Sequence, residues 1–72
     1  MTNDQVTAAR GVMSGFPSLK VMMGSAGSSE TITPYKVSDA TDQGAAVTVG
    51  SETKPRDIES ALIASCRALL NG

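Results

Sequence analysis

The stretch Leu19–Val37, LKVMMGSAGSSETITPYKV, sets an apolar run and a β-branched run on either side of the small residues Gly24 to Ser29. Two folds part company there. A phosphate-cradling loop leads from a strand into a helix, so that backbone N–H groups and the helix dipole converge on an anion. A hairpin leads from one strand back into another. The residues after Ser29, ETITPYKV, form a strand pattern, and the Lys and Ser/Thr that complete a Walker-type loop are missing. The reading is therefore a bend joining strands Leu19–Met23 and Thr31–Val37, with glycine supplying the dihedral angles. Pro34 interrupts the second run; it cannot donate to a ladder and so predicts an edge position. Ala45–Val49 reads as a third short strand and SDATDQG, residues 38–44, as a loop.

Helices flank this middle. Residues 2–15 place Val6, Ala9, Met13 and Phe16 at spacings of three and four, with Thr2, Asn3 or Asp4 as cap and Gly15 before Phe16-Pro17 as a stop. Val12 and Ala8 widen the apolar side to about half the circumference, at about 100° per residue. The helix from Pro55 to Leu70 carries the stronger pattern, with Ser51 or Thr53 as cap and Asn71-Gly72 as terminus. With Ile58 at the origin of the wheel, Leu69, Leu62 and Cys66 fall within about 80°, and Leu70 and Ile63 extend the arc to about 140°. On the other flank Ala61, Ala64, Ser65 and Ala68 form a contiguous small-residue surface, and only Arg56, Arg67 and Ser60 fill the polar strip between.

A helix apolar nearly all round is normally covered on more than one side. One chain of 72 residues has a small sheet and one other helix with which to cover it. The expectation is that the large side chains pack inward while the small flank meets a second chain. The alternative is that its alanines face solvent as good helix formers.

Composition bounds the function classes. The chain is one domain, 1–72, near the size where a single core supplies only a few kcal/mol of net stability. Val, Ile, Leu and Phe make up 14 of the 72 residues, with one Tyr and no Trp, so large anchors are scarce and association is an obvious further source of stability. A net charge of −1 with interspersed signs argues against nucleic-acid binding through phosphate attraction. Histidine is absent and Cys66 is the single cysteine, which excludes Ser-His and Cys-His nucleophiles and a four-cysteine zinc site within one chain. The chain reads as a non-enzyme with no cofactor. No apolar run is long enough to span a bilayer, and MTNDQVTAAR lacks the order of a signal peptide. These features predict a soluble, cytoplasmic protein without membrane contact.

Two further clusters bear on ligands. Ser51, Thr53, Lys54 and Arg56 gather at the start of the last helix, where cations oppose the dipole, an arrangement that a phosphate or carboxylate would explain. Glu52, Asp57 and Glu59 in the same stretch neutralise them. Asp39 and Asp42 lie too sparsely for a calcium loop and read as turn residues.

The order helix, hairpin, helix on a chain of this length resembles the layout of small phage head–tail joining proteins. The likeness is architectural, carries no motif, and implies an assembly or accessory role in a virus or mobile element. The fold expected is α+β: an N-terminal helix, an antiparallel sheet of two or three strands, and a C-terminal helix packed on it. The leading expectation for function is a non-catalytic interaction module, a homo-oligomer or one docking on a larger protein, through Ala61, Ile63, Ala64, Ser65, Ala68 and Leu70. A small anionic ligand held by Ser51, Thr53, Lys54 and Arg56 is the second.

Overall fold

The computed structural model describes residues 1–72. The chain runs α1 (Asn3–Met13), β1 (Leu19–Ala26), β2 (Ser29–Lys36), β3 (Asp39–Gln43), β4 (Val47–Val49) and α2 (Pro55–Asn71). This is the α+β architecture the sequence predicts, with two helices and one antiparallel sheet.

Thr2 begins α1 through a capping box: its hydroxyl accepts from Gln5 N at 3.2 Å, and its own N–H donates to Gln5 Oε1 at 3.0 Å. The helix is shorter than residues 2–15, ending in turns where Gly15 N and Phe16 N donate to Val12 O and Met13 O. Its buried residues are Gln5, Ala8, Ala9 and Val12, so the covered stripe is rotated away from Val6 and Met13. The cause is that α1 packs chiefly on α2 and only grazes the sheet.

Strands β1 and β2 pair in continuous register from Leu19 opposite Lys36 to Ala26 opposite Ser29. Pairing therefore runs through most of the small-residue stretch, and only Gly27 and Ser28 form the turn. Gly27 has φ +62° and no other residue has a positive φ, the type II′ pattern in which the first central position demands glycine.

Two expectations about the sheet are corrected. The SDATDQG segment is not a loop, because Asp39–Gln43 forms β3 against the end of β2. Every residue of that strand is exposed, so no apolar alternation marks it; the tight Val37-Ser38 turn and an ion pair between Lys36 Nζ and Asp42 Oδ2 at 2.8 Å hold it in place. Pro34 does not mark an edge strand. β2 is central, with β1 along one side and β4 and β3 sharing the other, β4 against Glu30–Ile32 and β3 against Tyr35–Lys36. In an extended strand one residue's N and C=O point to the same side. Pro34 O accepts from Gly44 N at 2.8 Å, so its missing donor faces the seam between β3 and β4, where no ladder bond is lost.

Both helices lie on one face of the sheet. Ile32 and Pro34 are buried there, and their ladder partners Met23 and Val21 share that face. Beneath α2, Ile58, Leu62, Cys66 and Leu69 meet Ile32, Val47 and Val49, with Ala9, Val12 and Leu19 closing the core. No helix is long and apolar enough to cross a membrane.

Candidate functional site

The periodicity of α2 turns its large side chains into the core and leaves Ala61, Ala64 and Ala68 exposed. These alanines face the end of the β3–β4 connection and β4, and together they wall a shallow trough of about 390 Å³ lined by Ala45, Ala46, Val47, Thr48, Ala61, Ala64, Ser65 and Ala68. Ser65 belongs to its floor rather than its rim. It is only 6 % exposed and its hydroxyl donates to Ala45 O at 2.7 Å, which fastens the connection to the helix. Gly44 permits that approach, since a Cβ there would stand 2.7 Å from Ser65 Oγ and 3.0 Å from Pro34 Cγ. Ile63 is half-buried against the core and Leu70 is 44 % exposed. The structure thus gathers Ala61, Ala64, Ser65 and Ala68 into one surface and sets Ile63 and Leu70 on the helix's other margin.

The start of α2 is built differently from the cap the sequence suggests. Lys54 is the capping residue and makes no side-chain cap bond. Thr53 Oγ1 instead accepts from Gly50 N at 2.9 Å, and Ser51 Oγ lies 3.3 Å from Glu52 Oε2. Both hydroxyls are thus engaged within the loop, while Lys54 and Arg56 extend into solvent without a carboxylate partner.

This loop is held by a residue that the sequence analysis does not single out. Gln5 is 3 % exposed, and its Nε2 donates to Gly50 O at 3.0 Å and to Thr53 O at 2.9 Å while its Oε1 serves the α1 cap. One amide satisfies three backbone groups. The Thr2-x-x-Gln5 spacing is a sequence signal for the cap, but nothing local signals the bonds to Gly50 and Thr53.

On the opposite side of the molecule α1 stands off from β1, leaving an apolar groove of about 480 Å³. Val6, Ala9 and Met13 of α1 form one wall; Val21 and Met23 of β1, with Ile32 behind, form the other. Met23 is 60 % exposed. Arg10 and Lys20 stand on the rim, and neither takes part in an ion pair.

Two titratable groups are perturbed. Hydrogen bonds from the Thr41 hydroxyl at 2.7 Å and the Thr41 N–H at 3.1 Å hold the exposed Asp39 carboxyl below its ordinary pKa. Burial pushes the Cys66 thiol up, its Sγ contacting Met13 Sδ at 3.7 Å. A buried thiol raised in this way is a poor nucleophile, because the thiolate is the reactive form.

Comparison with protein-family models, with curated proteins and with solved structures finds no match to this chain.

Proposed function

We infer that the chain is a small non-catalytic interaction module working in the cytoplasm, which associates with its own copies or with a larger protein through the small-residue flank of α2. The observation that carries this reading is the trough between α2 and β4. Ala61, Ala64 and Ala68 are exposed side by side, and nothing of the chain's own covers them. Small side chains let a second backbone approach closely, and with only 14 of its 72 residues buried a protein of this size has reason to bury more. An accessory or assembly role in a virus or mobile element fits such a module and is supported by the helix–strand–helix layout alone.

Light scattering at low micromolar concentration tests the reading. The wild-type chain is expected at a multiple of its 7.4 kDa mass, and Ala64→Arg or Ala68→Arg at 7.4 kDa with helix content retained. A wild-type mass of one chain, or an assembly unmoved by both arginines, overturns self-association through this flank.

A further inference from the structure

The groove between α1 and β1 is a second unpartnered surface, independent of the α2 flank, and its features specify an occupant. β1 pairs only with β2, so its other side is a free sheet edge eight residues long. At about 3.4 Å per residue this is roughly 27 Å, along which alternate residues turn their N–H and C=O outward, unpaired apart from Leu19 N–H, which donates to Phe16 O. The groove runs beside that edge, on the face to which Val21 and Met23 project. Its volume is within the range of ligand clefts, about 300–1,000 Å³. A hydrocarbon ligand could fill the groove but could not pair with the edge. An extended peptide does both: its backbone completes the ladder, and every second side chain enters the groove.

The charges select among peptides. Arg10 and Lys20 are the only charged residues lining the groove, and neither has an acidic neighbour in ion-pair range. Glu30, the nearest acid on β2, is engaged by the Met1 amine at 2.6 Å. A second copy pairing edge to edge would bring its own Arg10 and Lys20 to the same interface, cation toward cation, and a lysine on an edge strand is a recognised device against that pairing. An acidic segment finds both cations unpaired.

We propose that the β1 edge and the adjoining methionine-lined groove bind an extended segment of another protein in which apolar residues alternate with Asp or Glu. The segment adds as a fifth strand beside β1. Its groove-side apolar chains seat on Val6, Met13, Val21 and Met23, with one groove-side carboxylate at Arg10, while the carboxylates of the intervening positions meet Lys20 on the other face of the sheet.

The test is selection from a displayed library of random nonapeptides on the full chain, with Met23→Lys as the counter-selecting surface, followed by fluorescence anisotropy on the enriched peptides. Met23 and Arg10 are exposed, so Met23→Lys and Arg10→Glu are expected to fold as the wild type does, checked by circular dichroism. Enriched sequences should alternate apolar and acidic residues. Their affinity should fall about tenfold or more with Arg10→Glu, and comparably when salt rises from about 50 to 500 mM. Methylating alternate backbone nitrogens should abolish binding, while Ala64→Arg leaves it unchanged. Three results overturn the proposal: enrichment of basic or non-alternating sequences, no peptide that distinguishes wild type from Met23→Lys, or a wild-type dimer that Met23→Lys dissociates, which would make a second copy the occupant.

Discussion

Replacing Gln5 by alanine removes two hydrogen bonds to Gly50 O and Thr53 O and half of the α1 capping box. Each bond contributes about 1 kcal/mol net, with about 1–3 kcal/mol at stake where a carbonyl is left buried and unpaired. The cap contributes about 1 kcal/mol. The expected loss is therefore about 2–4 kcal/mol. Domains of this length are stable by roughly 4–11 kcal/mol, taking about 0.05–0.15 kcal/mol per residue. One kcal/mol corresponds to about 4–8 °C in Tm at this size, so the variant should melt about 8–32 °C lower. Urea unfolding followed by far-ultraviolet circular dichroism gives the measurement, with Thr2→Ala as the control that removes only the cap and should cost about 1 kcal/mol. Gln5→Glu adds a sign. Its carboxylate would face two carbonyl oxygens, which raises its folded-state pKa, so its deficit should be smallest in acid and grow as pH rises through the carboxyl range. A Gln5→Ala loss no greater than that of Thr2→Ala would refute the tie between α1 and the β4–α2 loop.

Gly44→Ala should destabilise by about 1–3 kcal/mol, as overpacking does, because its Cβ meets Ser65 Oγ and Pro34 Cγ. Combining it with Ser65→Ala should cost less than the sum of the two, since the hydroxyl is the closest obstruction, and additive losses in a double-mutant cycle would exclude that contact. Cys66 gives a pH dependence. The unfolded thiol ionises from about pH 8.5, whereas burial holds the folded one protonated, so stability should be intact below that pH and decline above it by at most about 1.4 kcal/mol per pH unit. Chemical denaturation between about pH 7.5 and 9.5 reads the slope, which Cys66→Ala should flatten; an unchanged slope would place the titration elsewhere.

Most of the architecture was legible because it rests on periodicity. The α2 pattern placed Ile58, Leu62, Cys66 and Leu69 in the core, where they lie, and its Pro55 start and Gly72 end agree with the structure. The hairpin was legible from the small residues between two strand patterns, although the turn is confined to Gly27 and Ser28 and the strands run further toward it than the reading allowed. What escaped was everything set by pairing or distance rather than pattern. β3 has no buried face and so no alternation to read. Pro34 signalled an edge but sits in a central strand, because an edge and a seam between two short strands are equivalent to a missing donor. For the candidate site, the alanine flank was visible on the helical wheel, yet the inward turn of Ser65 toward Ala45 depends on a chain crossing 20 positions away. The groove was hidden because Val6 and Met13 look like core residues until α1 is seen to lean on α2 instead.

The seam at Pro34 bears on what the sheet can become. Fibrous growth by strand stacking needs two usable edges per molecule, one to receive and one to offer. Here one border is continuous, while the other is a three-residue strand and an exposed hairpin arm separated by a proline and a glycine. By strand pairing, a subunit of this shape is readily extended on the β1 side alone, because β3 and β4 offer a following strand only short, interrupted edges.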